Sequence, residues 1–144
     1  MRVEFKRLEN GQDVELPTYE TLHSAGMDIR AAEDGVVIRG GTVMVRTGFA
    51  LAIPAGYEVQ IRSRSGLAKK HGVFVTNAPG TIDSDYRGEI CVLLTCVGPA
   101  SFQFKKGDRI AQMVLAPVVL MELSVVYELD STARGTGGFG STGK

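Results

Sequence analysis

The sequence predicts an all-β domain of the sandwich or barrel kind, with one short helix and a glycine-rich tail. Three observations lead there. Stretches in which apolar and polar residues alternate with period two recur along the chain. Turn signals separate these stretches at intervals of about ten residues, the spacing of an all-β sandwich or barrel. The 18 glycines and 5 prolines are spread along the chain rather than gathered in one linker, which favours many short strands.

Taken in order, strands are expected at residues 36–38, 42–47, 49–53, 57–62, 73–76, 88–97, 110–119 and 123–129. Turns fall between them at Gly40-Gly41, Pro54-Ala-Gly56, Pro79-Gly80, Gly98-Pro99 and Lys106-Gly-Asp108. Only residues 65–71 have the composition of a short helix. The run Glu89-Ile-Cys-Val-Leu-Leu-Thr-Cys-Val97 is apolar on both faces. It is either the middle strand of a sandwich core or a strand with one face against another subunit. Cys91 and Cys96 lie five apart on it and should face opposite sides, poorly placed for a mutual disulfide. With His23 and His71 the only histidines, no zinc-site spacing is present, and both cysteines read as small core residues.

Beyond residue 129 the only apolar side chains are Ala133 and Phe139. Such a segment cannot repay a backbone ordering cost of ~1–2 kcal/mol per residue by burial. The expected organisation is one body, residues 1–129, followed by a flexible arm, residues 130–144.

Sixteen basic residues balance sixteen acidic ones, so no global field draws in nucleic acid or an anionic membrane. An anionic ligand would need a local cluster. No apolar run reaches the roughly 18 residues of a membrane span, and the start, Met-Arg-Val-Glu-Phe-Lys-Arg, lacks the apolar core of a secretory signal. The expectation is a cytoplasmic protein without nucleic-acid or membrane partners.

Five islands carry chemistry. In the tail, Gly135-x-Gly137-x-x-Gly140 fits a dinucleotide fingerprint and Gly138-x-x-x-x-Gly143-Lys144 fits most of a P-loop. Both patterns need a helix after the loop to hold the phosphate, and no residues remain here to build one. Upstream, Ser24-Ala-Gly-Met-Asp28-Ile-Arg-Ala places an acid in an apolar setting. In Arg62-Ser-Arg64-Ser65-Gly66-Leu-Ala-Lys-Lys-His71, Ser-Gly opens the short helix beside arginines, a seat for a phosphate. The alternative is a Ser-capped surface helix with solvated charges. In Asn77-Ala-Pro-Gly80-Thr-Ile-Asp83-Ser-Asp85-Tyr86-Arg87-Gly88-Glu89, Asp83 and Asp85 would share a face of an extended strand. They suggest a general base or a metal seat, or else an acidic solvent face beside a turn. Gln112, inside the apolar run after Lys106-Gly-Asp108, must either cap a backbone group or meet a ligand.

Together, Ala25-Gly-Met-Asp-Ile-Arg-Ala, Arg64-Ser-Gly-Leu-Ala, Gly80-Thr-Ile-Asp-Ser-Asp-Tyr-Arg-Gly, Gly107-Asp-Arg-Ile-Ala-Gln and Arg134-Gly-Thr-Gly-Gly-Phe-Gly-Ser-Thr-Gly resemble the five ordered motifs of the trimeric dUTP diphosphatases (dUTPases). Each is weak alone, and the order and separations make the set specific. The resemblance implies a distorted β jelly roll of the β-clip type, a homotrimer with composite sites between subunits, and an arm closing a neighbour's site. It implies hydrolysis of dUTP to dUMP and pyrophosphate with Mg²⁺ on the triphosphate, which limits uracil incorporation into DNA and supplies dUMP for thymidylate synthesis. Asp83 matches the carboxylate that activates water for in-line attack at the α-phosphorus. Arg64, Ser65, Gly66 and Gln112 match phosphate contacts, and Arg134, Ser141 and Thr142 match the arm's contribution to the γ-phosphate.

The hairpin bearing Asn77, Ile82, Asp83 and Tyr86 matches the uracil and deoxyribose pocket, with Tyr86 packed on the sugar and Phe139 stacked on the uracil. Asp28 matches the first-motif acid, which would meet the hydrated metal through water or its ordering network, with no direct protein ligand to the ion. Ser63 stands where many members have proline, so the loop is expected to be less rigid. The alternatives are dCTP deaminase or a bifunctional form, which share the fold and a similar phosphate loop, and a nucleotide-binding signalling trimer. The deaminases resemble this chain less because they use a Glu in the third motif, where Ile82-Asp-Ser-Asp-Tyr stands here.

Overall fold

The computed structural model describes residues 1–141. Its elements in chain order are β1 (Glu4–Arg7), a 3-10 turn (Glu9–Gly11), β2 (Met27–Arg30), β3 (Gly35–Val37), β4 (Thr42–Arg46), β5 (Phe49–Ala52) and β6 (Tyr57–Arg62). There follow α1 (Ser65–His71), β7 (Val73–Val75), β8 (Gly80–Ile82), β9 (Cys91–Cys96), β10 (Phe102–Phe104) and β11 (Arg109–Pro117). The strands form a four-stranded sheet in the order β2-β11-β6-β8, a three-stranded sheet β4-β9-β7, and the pairs β1-β5 and β10-β3. Every one of these pairings is antiparallel. The all-β reading is met, and the many non-sequential neighbours give the crossing connections of a jelly roll.

Alternation decides which face of each strand is buried. In β9 the side chains of Val92, Leu94 and Cys96 are buried, while Cys91, Leu93 and Thr95 are only half covered. They join Val45 of β4, Ile61 of β6, Ile29 of β2 and Ile110 of β11 in one apolar cluster. Burying each such side chain contributes about 1.5–3 kcal/mol, so Leu94→Ala would cost about 2–5 kcal/mol. β9 is thus the middle strand of its sheet, one face in the core and the other half open. Cys91 and Cys96 face opposite sides, and both are free thiols.

The four-stranded sheet has two unlike faces. Cross-strand partners share a face, so Asp28, Gln112 and Arg62 lie in one row, and Gln60, Val114 and Thr81 in a neighbouring row of the same face. The opposite face carries Met27, Met113, Val59 and Leu115. It forms one wall of an apolar groove of about 380 Å³ closed by Val3, Phe5, Leu16 and Pro17.

Two expectations are corrected. Residues 123–129 form no strand. Among the described residues the last backbone hydrogen bond to the β body runs from the Val118 N–H to the Gly56 carbonyl, and beyond it Leu123, Val125 and Tyr127 are exposed. Alternation alone does not make a strand, because the ladder needs a partner edge. Nor do Asp83 and Asp85 share a strand face. β8 ends at Ile82, and the Tyr86 N–H bonds the Asp83 carbonyl at 3.2 Å, closing a turn through Ser84 and Asp85.

Candidate active site

The polar row Asp28–Gln112–Arg62 ends at the loop that leads from β6 into α1, and this is where the expected phosphate residues meet. Asp28 Oδ1 accepts a hydrogen bond from Arg64 Nε at 3.1 Å, and Oδ2 accepts one from Arg109 at 3.1 Å. Arg64 also donates to the Arg109 carbonyl at 3.2 Å. Arg109 is shared with Glu20 at 2.9 Å. The carboxylate is 14% exposed and the Arg64 side chain 25%, so the pair is screened less than a surface pair. Asp28 therefore holds the guanidinium of Arg64, the residue that precedes α1.

α1 begins at Ser65 with Arg64 as its extended N-cap, and no side chain caps it. Ser65 is thus the first helical residue rather than the cap. The N–H groups of Ser65, Gly66 and Leu67 have no helical acceptor, the usual condition of a first turn. No acid lies in that turn, and Lys69, Lys70 and His71 occupy the last.

Gln112 resolves its two options toward the backbone, with Nε2 donating to the Ser63 carbonyl at 2.9 Å. Its Oε1 lies over Gly26, where an added Cβ would stand 2.5 Å away. Only a residue without a side chain lets that amide lie flat against the first motif. Ser63, at the position where many dUTPases have proline, makes two ties. Its Oγ accepts the Val75 N–H at 2.9 Å while its carbonyl holds Gln112, so the hydroxyl ties the loop to β7.

Residues 77–86 do not form the expected hairpin, since β8 pairs with β6 while β7 belongs to the other sheet. They lie in or beside β8, elsewhere on the same sheet as Gln112. Ile82 pairs with Val59, whereas Gln112 pairs with Arg62, three residues further along β6. At ~3.3 Å per residue this separates the rows by roughly 10 Å. Asp83, past Ile82, starts the turn that carries Tyr86, and Asn77 lies in the turn before β8, next to a cis Ala78–Pro79 bond. Tyr86 is half exposed, with its hydroxyl on the Glu89 carbonyl at 3.1 Å. One chain therefore gathers Asp28, Arg64, Ser65, Gly66 and Gln112 at one end of β6 and Asn77, Ile82, Asp83 and Tyr86 toward the other.

Arg134, Phe139 and Ser141 lie in the tail, whose hydrogen bonds among the described residues are local to it. Arg134 donates to the Gly137 carbonyl at 2.8 Å, and the Ser141 N–H bonds the Gly138 carbonyl. Phe139 is fully exposed and has a positive φ of 48°. Thr142 lies outside the described residues.

Arg109 and Glu89 were missed from sequence. Arg109 stands inside the quoted Gly107-Asp-Arg-Ile-Ala-Gln run, and its charge was the available signal. The strand register that sets it beside Asp28 was not visible. Glu89, just before β9, has a largely covered carboxylate held by Asn10, Arg46 and the Gly48 N–H. Burial is the largest single influence on it and raises its pKa, yet the three donors together hold it below the ordinary carboxylate value.

Among the described residues no three His, Cys, Asp or Glu side chains gather to hold a metal, and each Asp28 oxygen already faces a guanidinium. Both Asp28 oxygens are thus engaged by arginines. No helix among the described residues is long and apolar enough to cross a membrane. The apolar groove lies on the opposite face from Asp28, Gln112 and Arg62, so it is not a phosphate site.

A sequence profile of the dUTPase family matches residues 12–143. Deoxyuridine 5'-triphosphate nucleotidohydrolase of Zymomonas mobilis is 52% identical over 143 residues, covering 99% of this chain and 98% of its own. That of Desulfotalea psychrophila is 55% identical over 147 residues, covering 99% and 97%. In structure, the chain resembles the dUTPase of Staphylococcus bacteriophage 80alpha with dUpNHpp, at a TM-score of 0.86 and 28% identity over 99% of both chains. It also resembles a mutant dUTPase from phage phi11 of S. aureus in which a structural Mg(II) ion is coordinated, at a TM-score of 0.79 and 25% identity, covering 89% of this chain and 98% of that one. With the fold, the ordered motifs and full-length relatives in agreement, this chain belongs to the dUTPase family and is a dUTP diphosphatase.

Proposed function

We propose that the chain hydrolyses dUTP to dUMP and pyrophosphate by in-line attack of water at the α-phosphorus, in composite sites of a homotrimer. The observation that carries this reading is the split along β6. Arg64 and Gln112 sit at one end of the sheet face, and the Asp83 segment is displaced by three strand positions. A nucleotide whose phosphates lie on one subunit's α1 and whose base lies in another subunit's Asp83 segment uses both halves at contact distance. Residues 118–129 also support assembly. Val119, Leu120, Met121 and Leu123 are all more than 80% exposed in the single chain, and such apolar surface is normally covered.

Each residue then has a physical task. Arg64, braced by Asp28, neutralises charge on the phosphates, and the open N–H groups of Ser65 and Gly66 donate to a phosphate oxygen at the helix start. Gln112 holds the loop that positions them. Asp83 takes the proton of the attacking water and orients it, and the remainder of the barrier is lowered by positioning. The backbone around Asn77 and Ile82 pairs with the uracil edge, which rejects cytosine by leaving buried polar groups unpaired. Tyr86 packs on the deoxyribose and excludes a 2′-hydroxyl. If bound with the triphosphate, Mg²⁺ would add charge neutralisation to that supplied by Arg64. Asp28 would meet its hydration shell through water.

Residues 1–129 form the body and residues 130–144 the closing arm. The glycines of the arm offer backbone N–H groups to the γ-phosphate, with Arg134, Ser141 and Thr142 adding donors and Phe139 covering the uracil. The test is a product assay with Mg²⁺. It should yield dUMP and pyrophosphate from dUTP and no ammonia from dCTP; ammonia release would place the chain with the deaminases.

A further inference from the structure

Between the base-binding segment and β9 the chain makes a joint that the proposed chemistry does not use. Glu89 sits there with its carboxylate turned into the body. Oε1 accepts from Asn10 Nδ2 at 2.9 Å and from the Gly48 N–H at 2.8 Å, while Oε2 accepts from Arg46 Nε at 2.8 Å. One side chain is thus tied to the 3-10 turn, the end of β4 and the start of β5. The side chain is 14% exposed, which fits a brace better than a solvated charge.

The backbone of the same residue carries the other half of the joint. Its carbonyl accepts the Tyr86 hydroxyl at 3.1 Å. Between the two stands Gly88, where an added Cβ would lie 2.3 Å from the Tyr86 hydroxyl oxygen and 2.5 Å from Cζ. The phenol therefore folds back over a residue that must lack a side chain. Arg87 secures the same turn by donating to the carbonyls of Ser84 and Tyr86 at 2.7 and 2.8 Å.

We propose that Glu89 is a positioning residue for sugar selection: its carboxylate locks the carbonyl that holds the Tyr86 hydroxyl, and Gly88 provides the space in which the ring lies. The inference rests on the reading of Tyr86 as the deoxyribose contact. Loss of the brace lets the ring tilt away, so the pocket admits the 2′-hydroxyl of UTP. Turnover of dUTP changes less, because the phosphate loop keeps its own supports in Asp28 and Gln112.

The test measures kcat and KM for dUTP and UTP in the full-length protein, with thermal unfolding alongside. Glu89→Ala should lower the dUTP/UTP ratio of kcat/KM about tenfold, the scale of one lost buried hydrogen bond. The change should come mainly through a lower KM for UTP. Glu89→Gln keeps the acceptor for Asn10 and Gly48 and should retain most of the ratio. Gly88→Ala, with Glu89 intact, should relax the ratio as well. In a Tyr86→Phe background, Glu89→Ala should cause little further change, since the bond it supports is already gone.

An unchanged ratio in Glu89→Ala, with only the unfolding temperature lowered, overturns the proposal and leaves Glu89 a structural residue. Equal effects of Glu89→Ala in the parent and in the Tyr86→Phe background also overturn it. Tyr86→Ala separates the two levels. If that variant keeps full sugar selectivity, the reading of Tyr86 is wrong and the inference falls with it. If it relaxes selectivity while Glu89→Ala does not, the inference alone falls.

Discussion

Asp28→Asn tests the link between the first motif and the phosphate loop. The carboxylate holds Arg64 and Arg109 with one oxygen each, both at 3.1 Å. An asparagine keeps one acceptor and turns an amide NH₂ toward the other guanidinium. Hydrogen bonds to charged groups contribute about 1.5–3 kcal/mol each, but the two arginines do not lose equally. Arg109 is 37% exposed and keeps Glu20 at 2.9 Å, so its share is closer to the ~0–1 kcal/mol of a surface pair. Arg64 has no other carboxylate partner among the described residues, and its loss dominates at about 2 kcal/mol.

Two consequences can be measured on one preparation. If Arg64 is held for the phosphates, kcat/KM for dUTP falls about 30-fold, since ~1.4 kcal/mol is a factor of ten. Thermal unfolding should fall by about 4–8 °C for a chain of this size. The assay is the initial rate of pyrophosphate release over a range of dUTP, beside thermal unfolding. A fall in unfolding temperature with kcat/KM within about twofold of the parent would refute the reasoning. Asp28 would then brace the sheet without positioning Arg64.

Asp83→Asn should keep dUpNHpp binding while turnover drops by about 10²–10⁴, the range of a lost general base; loss of binding in calorimetry would remove the water-activating role. Deleting residues 130–144 should leave the far-UV spectrum of the β body and its assembly unchanged while turnover falls at least ~100-fold. A truncated chain that no longer assembles would make the arm structural. Glu89 gives a pH dependence of stability. Its folded pKa lies below the ordinary value of 4.5, so its contribution is full above about 4.5 and is lost as pH falls through the lower folded value. Glu89→Gln should flatten that acid limb in thermal unfolding between about pH 3 and 6, and an unchanged limb would deny it. Cys91 is held protonated, first by burial and then by Glu89, with its pKa raised above 9.0. Iodoacetamide should therefore label it slowly at about pH 8 and faster only above about pH 9.

Strands with clean alternation and turn residues at both ends were legible: β4, β5, β6, β7 and β11 lie where period-two patterns place them, to within two residues. The helix at Ser65–His71 was read with its bounds. β1, β2, β8 and β10 were not, for one shared reason. Each is short, lacks the run of apolar residues that marks β7, and exists because a distant strand supplies its ladder. Glu-Phe-Lys-Arg becomes a strand because β5 runs beside it. The opposite error arose at residues 123–129, where alternation is present and no partner strand is.

The site divides in the same way. Gln112 announced itself as an amide in an apolar run, while Asp28, Arg64, Ser65, Gly66 and Asp83 were reached through the ordered motifs and their resemblance to the dUTPases. What sequence could not give was register. The pairing of Arg109 with Asp28, the seat of Gln112 over Gly26 and the anchoring of Glu89 all depend on which strand lies opposite which.

In the proposed trimer the phosphate loop of one subunit works with the Asp83 segment of another. Subunit mixing tests this directly. Arg64→Ala and Asp83→Asn chains, each inactive alone, are unfolded together in equal amounts and refolded, and dUTP turnover is measured. If the two residues come from different subunits, random assembly rebuilds intact sites to about one quarter of the parent activity. If both come from the same chain, no mixed trimer contains an intact site. Activity at the level of the separate variants, from mixtures proven to contain mixed trimers, would contradict the account.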